Sequence, residues 1–331
     1  MRTTRTQPSH MLGVMISAVK RNPVGRVAQG VVALAIIARL AFDRSPIVFV
    51  AALFVFIVPF ELIFPRHRQR VRRPQLGTDI AYLLLAGPLA IVGAAVAVPI
   101  AIVSLFWAPG LVLRPVVLAL PPLPRTLLAV ALFDLLSYWG HRFGHEVPFL
   151  WRFHSVHHST EQLDWVSGFR THPLDGALFG PAFILLAAAG FTAKLSGVLL
   201  LIQLLSALFL HANVNWRLRP VQKFLATPEF HHWHHANEAE ARNTNYAPIF
   251  PVWDLLFGTF HLPGDRRPSV YGVADPIPAG LLAQLHHPLL GANAQLRLLR
   301  HPRAACREWQ RALLPSLRQV VSPVRRRSVH R

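Results

Sequence analysis

Eleven of the chain's eighteen histidines fall between His141 and His235. They form H-x-x-x-H at His141 and His145, H-x-x-H-H at His154, His157 and His158, and H-x-x-H-H again at His231, His234 and His235. Residues three and four apart share one face of a helix, so each cluster gathers two or three imidazoles on one side. Neutral imidazole is the commonest side-chain metal ligand. Eight of them exceed the needs of one ion, and the natural reading is a two-metal centre. His232 breaks the helical spacing and is expected to face solvent or substrate.

One H-x-x-x-H at a helix end would serve equally well to bind lipid phosphate or to sit against the helix dipole. The H-x-x-H-H boxes change that balance. Three histidines on one short helix have no packing use, because burying them unpaired is costly. His211 ends an apolar segment in the word LHANVN and is read as a ninth ligand. His172 (in RTHPLD), Asn215, Asp134 and Asp164 are further candidates, as ligands or as partners of ligands. Ligating imidazoles usually give their other N–H to a carboxylate or a carbonyl. Asp134, Glu146, Asp164, Asp175, Glu229 and Asp254 lie near the boxes in sequence and are candidates for that role. Trp139, Trp151, Trp165 and Trp233 flank the boxes and are assigned to a substrate entrance, or equally to an interfacial belt. Ligand type alone suits iron and zinc equally, so a zinc hydrolase stays open. Catalytic zinc, however, normally takes three protein ligands, fewer than are offered here.

The elements that must position these residues are apolar. The chain has 331 residues, 53% hydrophobic and 15% charged, against about 25% charged in an average soluble domain. The formal net charge of +19 is not spread over a soluble face. It concentrates near the N-terminus, at Arg66 to Arg73 and from Arg297 to Arg331, with apolar runs between, as the positive-inside rule expects of a multi-spanning protein. Nucleic acid is therefore not an expected partner. The single cysteine, Cys306, excludes an intrachain disulfide and a cysteine-held cluster. No cleavable signal pattern is seen at the N-terminus.

The expected organisation is a basic arm over residues 1–26, N-terminal membrane spans over 27–125, a histidine-box domain over 126–263 and a basic extension over 264–331. Val27 to Phe42 and Ile47 to Phe64 are apolar, the second about long enough to cross a bilayer. Asp79 to Trp107 is a tilted, kinked crossing, and the proline-rich Ala108 to Arg125 is an irregular connection. Thr126 to Gly140 returns, and Leu174 to Leu210 forms an apolar hairpin. The fold expected is all-α, a multi-spanning transmembrane helix bundle with a cytoplasmic histidine-rich helical cap. If Asp79 to Trp107 crossed twice, the boxes would face outward instead. Arginine greatly outnumbers lysine, which hints at a bacterium and thus its inner membrane.

The words YWGHRFGH, WRFHSVHHS, FRTHPLD, LHANV, TPEFHHWHHA and NTNYAPIFPVWDLLFGTF cover about two fifths of the chain. In spacing and flanking residues this region resembles the fatty acid hydroxylase/sterol desaturase superfamily of integral-membrane non-haem di-iron oxygenases. The resemblance implies two iron ions held by His141, His145, His154, His157, His158, His231, His234 and His235. It implies O₂ as co-substrate and hydroxylation of an unactivated C–H bond of a lipid, or desaturation on the same centre. His232 stands where that family commonly has arginine. No H-P-G-G haem-binding word occurs, so electrons are expected from a separate donor of ferredoxin or cytochrome b5 type, with its reductase. The lipid itself is left open.

Overall fold

The computed structural model describes residues 55–290, apart from 56, 71, 104–106, 217 and 219. The expected basic arm, the Val27–Phe42 run, the start of the Ile47–Phe64 run, Cys306 and the Arg-rich tail lie outside the described residues. The chain divides into two compact units, one of residues 1–68 and 212–216, the other of 69–211 and 217–331.

In the first unit the described backbone is helical from 57 to 63 and then meets residues 212–216. Pro65 and Val214 form an antiparallel bridge, and the Asn215 N–H donates to the Phe64 carbonyl at 2.7 Å. The Asn213 side chain closes the contact by accepting from the His67 N–H and donating to its carbonyl.

The second unit is helical, with no strand among the described residues. Its helices are α1 (Leu76–Val103), α2 (Trp107–Ala119), α3 (Pro122–Glu146), α4 (Pro148–His158), α5 (Gly176–Ala188), α6 (Ala193–His211), α7 (Pro228–His234), α8 (Val252–Leu256) and α9 (Leu281–His286). Two of them, α1 and α6, are long and apolar enough to cross a membrane. Apolar side chains such as Leu84, Ile91, Val112 and Leu123 are exposed on α1, α2 and α3. An apolar surface of this extent is what a helix presents to lipid rather than to water.

The proline-rich stretch after Trp107 corrects the irregular connection expected there. It is helical from Trp107 to Ala119, with Pro115 inside. Pro109 lies in the first turn, where a missing N–H costs nothing because that group has no intrahelical partner. Pro122 likewise opens α3 at its first position, so the helix starts before Thr126 and runs past His141 and His145 to Glu146.

Small residues set how closely these helices approach. A Cβ on Gly140 of α3 would run into the Leu178 carbonyl oxygen of α5, and a Cβ on Gly93 of α1 into that of Pro173. A core of Val117, Phe133, Ala182, Leu186 and Leu199 fills the space between α2, α3, α5 and α6. It lies within the apolar part of the unit, leaving the polar ends of α3, α4, α6 and α7 to converge.

Candidate metal centre

Each box is delivered by a helix whose start is fixed in the sequence. Pro148 opens α4, and α7 begins at Thr227-Pro228, where the Thr227 hydroxyl accepts from the Phe230 N–H at 3.2 Å. The boxes then interleave into two groups. His141, His145, His154, His158 and His234 form one, and His157, His211, His231 and His235 the other. Within each group, ring nitrogens able to act as ligand atoms all lie within 4.8 Å of one another. All eight box histidines and His211 are thus brought together, and seven of the nine are buried, His145 and His157 being half-buried.

The Nδ1 atoms explain why the rings stand as they do. Those of His141, His157, His211 and His234 face the carbonyl oxygens of Tyr246, Arg170, Ala207 and Thr244 at 2.7, 3.0, 2.6 and 2.8 Å. A carbonyl only accepts, so each Nδ1 carries the proton and each neutral ring presents a lone pair at Nε2. His154 instead turns Nδ1 to Asp175, at 3.2 Å. The Nε2 atoms of His157 and His211, both lone-pair bearing, then sit 3.1 Å apart. The His211 Nε2 also lies 3.0 Å from that of His235 and 3.2 Å from that of His231. In the other group the Nε2 atoms of His145, His158 and His234 are buried without a protein partner. Burial and the neighbouring rings hold His157, His158, His231 and His235 well below the usual imidazole range, and burial brings His234 to about 3. Those five rings are held neutral, and with both Nδ1 protons on backbone carbonyls no proton lies between the Nε2 atoms of His157 and His211.

The word NTNYAPIFPVWDLLFGTF has a structural explanation. Asn245, fully buried with φ +59, donates its amide to the carbonyls of Phe230 and His261 and accepts from the His261 N–H. Asp254 accepts from the Tyr246 and Ala247 N–H groups and from the Thr259 hydroxyl. Burial raises Asp254 to about 6 despite those donors. The pair fixes the turn whose Tyr246 carbonyl receives His141.

Several sequence expectations are corrected. Asp134 accepts from the N–H groups of Ile249 and Phe250 and from the Trp253 indole, so it anchors that turn and meets no imidazole. Asp164 pairs its two oxygens with the Arg73 guanidinium at 2.6 and 2.7 Å. His172 uses both nitrogens, accepting from the Leu174 N–H and donating to the Leu285 carbonyl, and is in neither group. Asn215 is not corrected: its backbone N–H is bonded to the Phe64 carbonyl within the first unit, and its side chain stays a candidate. His232 is fully buried beside the Tyr271 hydroxyl rather than facing solvent. Of the carboxylates placed near the boxes, Asp175 is the one bonded to a box imidazole among the described residues.

Beside the first group is a cavity of about 480 Å³ that reaches His145, His158, His234 and His235. Of the four tryptophans assigned to an entrance, Trp151 lines it. Trp139 packs on Tyr138 and Phe257, Trp165 is buried against Phe169, and Trp233 is buried against His261. Sequence reasoning missed the four carbonyl acceptors and a buried ion cluster. In that cluster Asp79 meets Arg73 at 2.7 Å and Arg170 at 2.5 Å. An aspartate in the first turn of an apolar helix was the available signal for it.

Comparison with known proteins finds relatives for the region that carries the boxes. Residues 126–259 match the fatty acid hydroxylase family. The chain is 36% identical over 167 residues to the ornithine lipid hydroxylase OlsE of Rhizobium tropici, covering 49% of this chain and 48% of that one. It is 32% identical over 148 residues to the alkylglycerol monooxygenase of Danio rerio, covering 44% and 32%. It is 30% identical over 160 residues to the Homo sapiens alkylglycerol monooxygenase, covering 46% and 34%. The match spans about half or less of the length of each of these relatives. No solved structure matches the chain. Residues 126–259, where all three boxes lie, are thus similar in sequence to the fatty acid hydroxylase family and to lipid hydroxylases and monooxygenases.

Proposed function

We propose that the chain is a membrane-bound, non-haem di-iron oxygenase that hydroxylates an unactivated C–H bond of a lipid. The observation that carries this reading is the pair of histidine groups, in which neutral rings turn their Nε2 lone pairs toward common points. Two lone pairs 3.1 Å apart repel, and a cation between them removes the repulsion. The donor set is all imidazole, which suits a divalent transition ion. His141, His145, His154, His158 and His234 would hold one iron and His157, His211, His231 and His235 the other. Asp175 and the carbonyls of Tyr246, Arg170, Ala207 and Thr244 orient the rings through Nδ1.

When bound, the metal pair supplies the O₂-activating redox chemistry that no side chain provides. The overall reaction adds one oxygen atom of O₂ to the C–H bond and reduces the other to water with two electrons and two protons. The electrons are assigned to a separate ferredoxin or cytochrome b5 type donor. The relatives, named for hydroxylation of an ornithine lipid and for oxidation of alkylglycerols, support a lipid as substrate. The exposed apolar faces of α1, α2 and α3 support insertion in a bilayer as a multi-pass bundle. The basic run from Arg66 to Arg73 supports a cytoplasmic side for the boxes.

Iron reconstitution followed by metal analysis, and lipid mass spectrometry under ¹⁸O₂, test the proposal together. The expected result is two irons per chain and one ¹⁸O in a lipid product, lost in His157→Ala. Zinc as the resident metal with turnover in strict anaerobiosis would overturn it. A reporter fusion after His158 that reads as external would overturn the assigned orientation.

A further inference from the structure

The cavity beside the first histidine group is not the apolar slot that an acyl chain alone would call for. Arg152, Arg242 and His287 line it against one carboxylate, Asp275. Arg152 spends a guanidinium N–H on the Leu290 backbone carbonyl, and neither arginine has a carboxylate partner among the described residues. Trp151, Ile277 and Leu290 supply an apolar wall to the same space. Its volume of about 480 Å³ falls within the range of pockets that hold a small polar group with part of an attached chain. The nitrogens of His145, His158 and His234 that lack a protein partner belong to residues lining the same cavity.

We propose that this cavity binds the anionic headgroup of a lipid, a phosphate or carboxylate, through Arg152 and Arg242. Guanidinium is the group best shaped for such anions, because its N–H donors match two oxygens at once. The apolar wall and the lipid-facing helices argue for an anion carried on a lipid rather than a free one. With the headgroup held here, the carbons nearest to it, rather than the far end of the acyl chain, are presented to the histidine groups. The view of this ligand as substrate rests on the oxygenase reading above.

The test uses the full-length protein in maltoside micelles, titrated calorimetrically with dioctanoyl phosphatidic acid, dioctanoylglycerol and inorganic phosphate. The wild type is expected to bind the phosphatidic acid at least tenfold more tightly than the neutral lipid, and inorganic phosphate far more weakly. Arg152→Gln with Arg242→Gln is expected to remove the preference, and the corresponding double lysine variant to restore part of it. Metal content and the circular dichroism of each variant establish that the fold is kept. Equal binding of the two lipids by the wild type, or a preference that survives in the double glutamine variant, would overturn the proposal. Phosphate binding as tightly as the lipid would overturn the lipid as its source. The same preparations, loaded with iron and supplied with a ferredoxin or cytochrome b5 type donor and its reductant, separate the two readings under ¹⁸O₂. A headgroup preference with no label incorporated supports this site and sinks the oxygenase. Label entering both lipids without any binding preference does the reverse.

Discussion

His157 donates its Nδ1 proton to the Arg170 carbonyl at 3.0 Å, and the Arg170 guanidinium is itself fixed on Asp79 of α1. A ring in the second histidine group is thereby tied to the first turn of the long apolar helix α1. Asp79 also meets Arg73, and all three side chains are buried. Asp79→Ala would leave two buried guanidinium groups without this carboxylate. It should cost about 3–5 kcal/mol of stability, the usual penalty for breaking a buried ion pair. Denaturant unfolding in detergent would measure it, and an unchanged midpoint would refute the role given to Asp79.

The two histidine groups should not tolerate loss equally. His211→Ala reduces a set of four to three, whereas His145→Ala leaves four of five. His211→Ala is expected to weaken metal retention at its group by about tenfold or more, and His145→Ala by less. Chelator competition followed by metal analysis would show the difference, and equal losses would argue against the division into four and five.

Acid should unfold the metal-free protein. His157, His158, His231 and His235 are held well below their usual range, and His234 at about 3. The unfolded chain therefore binds more protons than the native one as pH falls from about 6.5 toward those lower values. Stability contributed by the neutral rings is present above about 6.5 and is lost progressively as pH drops through that window. Unfolding of chelator-treated protein between pH 7.5 and 4.5 would test the sign. A midpoint that rises on acidification would be the contrary result.

Asp254→Asn keeps the size of the side chain but replaces one accepting oxygen by an NH₂ group. At least one of the Tyr246 and Ala247 N–H groups then loses its acceptor in a buried site. The loss should be about 1–3 kcal/mol, with weaker metal binding because the Tyr246 carbonyl orients His141. Thermal unfolding and metal titration would both have to move.

Gly140→Ala should separate α3 from α5, because the added methyl meets the Leu178 backbone oxygen and not a side chain that can turn away. About 1–3 kcal/mol is expected for such overpacking. Because His141 follows directly, its group should lose metal affinity as well. Gly77→Ala, with open space around it, provides the control and should be close to neutral or slightly stabilising.

The box histidines were legible because their repeated helical spacing has no good packing explanation. His211 was legible because it ends an apolar segment. What could not be read was what holds the rings. Four of the acceptors are backbone carbonyls, which every residue possesses and no side-chain pattern announces. Asp134 and Asp164 misled because a carboxylate near a box in sequence can as well bind backbone N–H groups or an arginine. His232 misled because breaking one helical face does not imply exposure where a second segment, here bearing Tyr271, covers the other. The helix from Trp107 to Ala119 escaped notice because its prolines were read as breakers, although Pro109 lies in the first turn and the helix continues through Pro115.

His157 and His158 are consecutive, yet they serve opposite groups, and so do His234 and His235. Their ring centroids lie 5.4 and 5.3 Å apart. Covalent neighbours at the C-terminal ends of two separate helices thus act as a pair of fixed rulers across the centre. Breathing of the surrounding helices can tilt or lift the whole assembly, but it cannot stretch the spacing between the two groups without breaking the turn of α4 or α7. A single-residue insertion beside either pair would turn its rings by roughly 100° and hand them to the wrong side.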